Sequence, residues 1–263
     1  MKDYNKIDIG TAYQKKIRDQ KAITDINNLF GEYWLNIDLS FKNSVIKQID
    51  IITAKNIIEE YEWLGCMPAI VLYCYGIYFS GICGGCVVFS PEYIENLGRW
   101  DKYNFTGKII LLSRGVCLHW TPKNTNSRLI MNAIKMLPSK FKIITATTDH
   151  LAGEIGTIYQ ACNFYYVGSM RDANPNIPKS KNGDRDGWLI DGKLYGSRSL
   201  RLKYGNTKME TLLKYHKNIK KIKQNSKHRY FLFRGHKNEQ KYYKSQINHL
   251  IKPYPKRLIQ SED

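Results

Sequence analysis

The stretch from Leu111 to Met170 restricts the fold more than any other part of the chain. A strand-like run, Lys108–Arg114, leads into the polar segment Leu118–Arg128, and an apolar-periodic helix follows. A second strand, Lys142–Thr147, ends in Asp149-His150. Then come a short helical segment, Gly156–Phe164, and a third strand, Tyr165–Gly168. Strands that alternate with helices point to a layered α/β sheet. The order also places an arginine, a helix N-terminus, a carboxylate and a tyrosine at the ends of neighbouring elements.

The flanking sequence fits that sheet. A helix is expected from Tyr13 to about Phe30, and another from a Thr53 cap through Ile57, Ile58 and Tyr61 to Gly65. Ala69–Tyr78 and Gly84–Phe89 read as two antiparallel strands turning at Gly81–Gly85. Asn174–Asp186 reads as an exposed loop, and Trp188–Tyr195 as a tight hairpin turning at Asp191-Gly192. An amphipathic helix is expected from Thr207 to Ile222, with Lys214, Lys217, Lys220 and Lys221 on its polar side. Lys227–Arg234 reads as a strand, and Asn238–Ile251 as a basic helix. The chain divides into an N-terminal helical or irregular segment (1–50), a catalytic core (51–200) and a basic α+β C-terminal extension (201–263).

Charge narrows the partners. The formal net charge is +18, and residues 201–263 hold 17 Lys/Arg against 4 Asp/Glu. Such a concentration attracts polyanions, double-stranded DNA first among them. A solvated lysine-rich surface is the plainer alternative. No run of about 18 apolar residues is present, so no membrane span is expected. The N-terminal residues lack a signal-peptide pattern, and a cytoplasmic location is expected. The six cysteines sit mostly among apolar neighbours and read as reduced thiols. Cys83-Gly-Gly-Cys86 is a lone pair inside a strand-like run, weak as a metal motif.

Helix, β-hairpin, strand, helix, strand, short helix, strand is similar to the GNAT acyltransferase order, a mixed sheet flanked by helices. In that family the strand before the central helix splays from its neighbour, and the helix N-terminus holds the pyrophosphate of acyl-CoA. Unpaired N–H groups and the helix dipole favour phosphate there. Here the position is filled by Pro122–Ser127, and the usual Arg/Gln-x-x-Gly-x-Gly/Ala is absent. Within that superfamily several motifs together resemble the phage Mom family of DNA modification proteins. They are Glu60–Pro68, Leu112-Ser-Arg114, Asn124-x-Asn-Ser-Arg128, Asp149 with Gly156–Asn163, and Gly168. Asp191-Gly, Tyr195-Gly, Tyr204-Gly and Lys227–Tyr230 belong to the same set, and the likeness spans about residues 50 to 235. It implies transfer of a carbamoylmethyl-type group to adenine N6 in DNA, protecting phage DNA from restriction. The family often has His-Tyr where this chain has Glu62-Trp63.

Each candidate residue has a functional and a structural reading. Arg114 at a strand's exit can fix a phosphate, or pair with Asp149 or Glu62. Asn124, Asn126 and Ser127 can hold a cofactor, acetyl-CoA or a related acyl donor, or simply cap a helix. Asp149 can align or deprotonate the adenine amine, or cap the next turn. The resemblance gives Tyr159 the role of protonating a departing thiolate; packing is its alternative. Glu62 and Trp63 can frame the substrate, and Lys214, Lys217, Lys221 and Arg229 can grip DNA. A metal is left open, with His119 and His150 as possible ligands of a non-haem iron. Trp63, Tyr73, Tyr75, Trp120 and Tyr166 are the aromatics on which an extruded base can stack. Two other functions fit the same residues: N-acylation of protein or RNA, and DNA binding without catalysis.

Overall fold

The computed structural model describes residues 4–7, 9–27, 37–92, 100–169, 186–223 and 227–258. Its centre is a seven-stranded mixed sheet. The strands are β2 (Val45–Gln48), β3 (Tyr73–Phe79), β4 (Ile82–Pro91), β5 (Ile109–Cys117), β6 (Ile143–Thr148), β7 (Tyr165–Ser169) and β11 (His228–Phe233). Their order is β2-β3-β4-β5-β6-β11-β7, with β5 and β6 parallel and all other neighbours antiparallel. The expected mixed sheet flanked by helices is therefore present. β11 belongs to the basic segment 201–263, so that segment is partly core rather than wholly appended.

Alternation decides which helix covers which face. Tyr75, Ile77, Val87, Phe89, Ile110 and Leu112 face α3 (Thr125–Met136), where Leu129, Ile130, Ala133 and Ile134 meet them. Cys74, Cys86, Val88 and Val116 point the other way, against Ala54 and Ile58 of α2 (Ile51–Tyr61). Further along that second face, Ile143, Phe231 and Phe233 lie under Tyr243 of α7 (Lys237–Gln246), together with Trp100 and Phe105. β1 (Tyr4–Ile7) pairs in parallel with β12 (Tyr254–Arg257), while α1 (Tyr13–Asn27) and α4 (Thr157–Ala161) complete the core's helices.

Two irregularities open the sheet. β5 and β6 pair only from Ile109/Ile143 to Leu112/Ala146. Beyond Leu112, β5 continues along β4 alone, and a wedge separates it from β6. At the same point the register on β4 slips: Phe89 faces Leu112, but Val88 faces Arg114. Ser113 is the extra residue of a β-bulge, and its hydroxyl donates to the Val88 carbonyl at 3.0 Å. A bulge shifts the alternation by one, so Arg114 and Val116 point to the α2 face although Leu112 points to α3.

Three expectations are corrected. Asp50, not Thr53, caps α2, accepting from the Thr53 amide at 2.8 Å. The β3–β4 turn is at Ser80-Gly81, ahead of the anticipated Gly81–Gly85, which mostly lies inside β4. The helix expected over 207–222 is instead a five-residue α6 (Met209–Leu213) followed by strand β10 (Ile219–Lys223). Ile219 and Ile222 fit helical spacing, yet the pairing of β10 with β8 (Asp186–Ile190) outweighs it. The Asp191-Gly192 hairpin is as expected, joining β8 to β9 (Lys193–Gly196) with both turn residues at positive φ. The loop expected at 174–186 falls almost entirely outside the described residues.

An ion pair closes the sheet beside the wedge. Arg229 on β11 donates to Glu92 at 2.6 Å, just past β4, and the Thr145 hydroxyl on β6 donates to the same carboxylate at 2.6 Å. Both charged side chains are buried, at 9% and 2% exposure. Removing one partner strands the other charge in the interior. Arg229→Ala is expected to lower the unfolding free energy by about 3–5 kcal/mol in urea denaturation. A loss under about 1 kcal/mol would mean that Glu92 finds water or another donor.

Candidate active site

The bulge brings Arg114 to the end of α2, where the chain leaves the helix at Glu62. The Arg114 Nε is 4.0 Å from the Glu62 carboxylate and donates to the Cys66 carbonyl at 2.8 Å. Another of its nitrogens donates to the Ser113 carbonyl at 2.6 Å. Glu62 is 7% exposed and accepts from the Leu64 amide at 3.0 Å. Burial pushes its carboxyl up to about 7, against the opposing pull of Arg114, the Leu64 and Gly65 amides and Lys227. Near neutral pH this group is divided between acid and base forms, as a proton-transfer residue requires.

Tyr159 lies on the other face of the sheet. It stands on α4, packs on Phe164 and Tyr230, and borders the core beneath α3. Burial holds its hydroxyl far above its ordinary value, and the charges of Glu154 and Glu62 raise it further while Arg114 lowers it. A tyrosine on the α3 side thus feels Glu62 and Arg114 on the α2 side, as the wedge allows. Glu154 is itself raised, mainly by burial, and one of its oxygens is buried without a hydrogen-bond partner.

The remaining candidates are placed as follows. Asp149 is 7% exposed and accepts from the Leu151 amide at 3.0 Å, capping the turn after β6. Trp63 is buried between Ala152 and Leu194, beside the Tyr13 ring, and offers no face to a base. Tyr75 and Tyr166 are core. Arg229 is committed to Glu92, so the expected DNA contact is corrected; a basic residue inside a strand gave no sign of its buried partner. Lys214 follows α6 and Lys221 sits on β10, not on one helix face with Lys217. His119 lies 3.4 Å from Asp25, and His150 stacks on His228 at 3.5 Å. Among the described residues, no three His, Cys, Asp or Glu gather as a metal site, so the iron reading finds no support.

The donor side lies along β5 and the start of α3. Past Leu112, the edge of β5 that faces the wedge is unmatched by β6 or any other described strand, and, the Ser113 carbonyl engaged by Arg114 apart, it suits an extended ligand. At the start of α3, Asn124 adopts φ 72°, the left-handed conformation that the missing glycine would otherwise supply. The Asn126 Oδ1 is buried without a partner. The Ser127 hydroxyl is satisfied by the Asn124 carbonyl at 2.9 Å. An unpaired strand edge, a helix N-terminus and an orphaned amide fit a phosphate-bearing, amide-bearing ligand. Ser113 and Glu154 were not among the expected site residues; Ser113 follows the unbroken apolar run Ile109–Leu112, which carries no alternation that could mark the bulge.

A split mixed sheet with the central helix after the splayed strand defines a mixed α/β protein with helices on both faces. The chain belongs to the Mom protein family, whose model matches residues 43–256. It is similar to an acetyltransferase of Bacillus subtilis in complex with CoA, at 12% identity, covering 73% of this chain and 100% of that one (TM-score 0.37). A GNAT family acetyltransferase from Elizabethkingia anophelis with acetyl-CoA bound matches at 11%, 73% and 99% (TM-score 0.36). Spermidine N-acetyltransferase from Vibrio cholerae, in complex with CoA and spermine, matches at 7%, 77% and 98% (TM-score 0.37). No curated protein sequence matches the chain. No helix among the described residues is long and apolar enough to cross a membrane.

Glu62 makes stability depend on pH. Its folded value, about 7, exceeds the ordinary 4.5, so folding favours the protonated form. That contribution is whole below pH 4.5, falls as pH rises through about 7, and is gone above it. At about 1.4 kcal/mol per unit the full swing is on the order of 3 kcal/mol. Glu62→Gln should match the parent at pH 4 and exceed it at pH 8 in thermal unfolding. Parallel melting curves across that range would remove Glu62 as the titrating group.

Proposed function

We propose that the protein is a DNA modification enzyme that transfers an acyl-derived group, of carbamoylmethyl type, to the N6 amine of adenine. Membership of the Mom family supports the substrate. The observation that carries the chemistry is the buried Glu62 beside Arg114, 4.0 Å apart at the end of α2, with its carboxyl raised to about 7. The adenine amine is a weak nucleophile because its lone pair is conjugated into the ring. It must lose a proton as the new N–C bond forms, and Glu62, near neutral in its titration, accepts it. Arg114 holds that carboxylate in place and presents positive charge toward the wedge. Tyr159, kept protonated by burial, supplies a proton to the leaving group. Asp149 positions the turn that carries His150 through its cap.

Asn124, Asn126 and Ser127, with the free edge of β5, would hold an acyl-CoA donor. Bound there, such a donor would supply a thioester carbonyl: the N6–C bond forms as the C–S bond breaks, CoA leaves as the thiol, and the first adduct is an N6-acyl adenine, whose glycyl form is an isomer of the carbamoylmethyl group and reaches it by a later rearrangement. The basic balance of the chain supports duplex DNA as the acceptor's carrier. Protection of the modified DNA from restriction follows from the altered major-groove edge of adenine, where N6 is read.

The test is a nucleoside digest by mass spectrometry of DNA from cells expressing the chain. The parent should yield an adenine adduct. Glu62→Gln and Tyr159→Phe should each lose about 100-fold or more of it while folding normally, the scale of a positioned acid or base. Asp149→Asn should lose about 1 kcal/mol of stability and keep most of the adduct. Unmodified adenine from the parent, with acylated protein or RNA instead, would replace the DNA reading by a GNAT N-acyltransferase.

A further inference from the structure

β7 and β11 are antiparallel neighbours, and Ser169 faces His228 across the pair. Two to five residues suffice to join such strands. The chain instead passes through residues 170–227 between them. Within that connection, residues 186–223 build a unit of their own: a three-stranded sheet, β10-β8-β9, with α5 (Ser197–Tyr204) and α6. One face of this sheet carries Trp188, Ile190 and Ile219, packed on Leu200, Tyr204 and Leu212 of the two helices. His216 ties the unit together, bonded to Tyr204 at 2.6 Å and to Asp191 at 2.7 Å.

The opposite face docks on the active site. Leu194 and Ile222 pack against Trp63, Leu64, Leu151 and Ala152, the residues beside Glu62 and Asp149. The Tyr13 hydroxyl donates to the Gly192 carbonyl at 3.2 Å, and Cys66, whose carbonyl holds Arg114, lies 3.5 Å from the Ser199 hydroxyl. A hairpin of the main sheet has therefore been expanded into a small domain seated next to the proposed chemistry.

Its surface is basic. Residues 186–223 hold 10 Lys/Arg against 3 Asp/Glu, and Arg201, Lys208, Lys214, Lys217 and Lys220 are exposed. Among them Tyr215 is 64% exposed and rests on Tyr204, ring centroids 5.1 Å apart. Exposed lysines around an exposed aromatic suit phosphates with sugar or base faces between them. Lysines on an edge strand alone serve to block sheet-to-sheet pairing. Here they continue beyond β10, onto α5, to Lys208 at the start of α6 and into the segment that follows α6.

We infer that this inserted unit is the DNA grip: Lys214, Lys217 and Lys220, with Tyr215, hold the backbone of a duplex and set it beside Glu62. The inference rests on the reading of DNA as substrate. The expected gripping lysines, Lys214, Lys217 and Lys221, thus lie on a folded insertion rather than on a C-terminal helix, and α7, packed on the core beside β11, is no part of it.

The experiment measures binding of the full chain to a fluorescent 20-base-pair duplex by anisotropy over a salt series. Each lost phosphate contact flattens the slope of log affinity against log salt by about 0.9. Lys214→Ala/Lys217→Ala/Lys220→Ala should flatten it by about 2–3 units, at an unchanged melting temperature. Lys237→Ala/Lys241→Ala on α7 should leave it as in the parent. Tyr215→Ala should weaken binding several-fold at every salt concentration with the slope intact. A slope unmoved by the triple variant overturns the inference, and a parent that still forms adenine adducts then leaves the functional reading standing. A flattened slope with no adduct in cells does the reverse. A parent that ignores the duplex but binds anionic vesicles overturns it in favour of a membrane surface.

Discussion

The bulge at Ser113 is the constraint on which the site depends. A strand presents alternate side chains to opposite faces, and no rotamer change moves a residue to the other face. Without the extra residue, Arg114 would continue the row of Ile110 and Leu112 beneath α3, and a guanidinium would enter an apolar core. With it, Arg114 turns toward Glu62. The same irregularity ends the partnership of β5 with β6, so one inserted residue both aims the arginine and frees a strand edge beside it. The Ser113 hydroxyl, bonded to the Val88 carbonyl and 2.8 Å from the Ser90 hydroxyl, pins the bulge to β4.

Charge is treated differently on the two sides of that opening. The Glu92–Arg229 pair at 2.6 Å also accepts from Thr145, and it functions as a closed structural clamp. The Glu62–Arg114 pair stands at 4.0 Å, with Arg114 turned to backbone carbonyls and Glu62 raised to about 7. A loose pair in a buried setting leaves its carboxyl free to exchange a proton, as at Glu62. Two buried acid–arginine pairs in one sheet thus serve different ends, and the separation between partners distinguishes them.

The sheet was legible because its strands and α3 have strong, distinct periods. The helix order, the Asp191-Gly192 hairpin and the position of Arg114 before the polar segment 118–128 followed from pattern and turn chemistry. Two things were not legible. Sequence between 207 and 222 has helical spacing, but a β-ladder to β8 decides its second half, and a ladder partner thirty residues away leaves no local mark. The face on which Arg114 lies depends on one extra residue, which alternation alone cannot place. Arg229 illustrates the same limit: its basic character is plain, whereas its partner Glu92 is remote in sequence. The basic segment was read correctly as a concentration of charge, and its division between a core strand and an inserted unit required the topology.

The central claim is that β5 beyond the bulge is an open strand edge that receives an acyl-CoA donor. Peptide-resolved hydrogen–deuterium exchange with and without CoA tests it most directly. The account predicts fast exchange in the free protein at the amides of Ser113–Cys117 that face the wedge, slowed on addition of CoA together with the start of α3, while those bonded to β4 stay protected throughout. The paired segment Ile109–Leu112 should stay equally protected in both states. Exchange over Ser113–Cys117 that is identical at saturating CoA would contradict it.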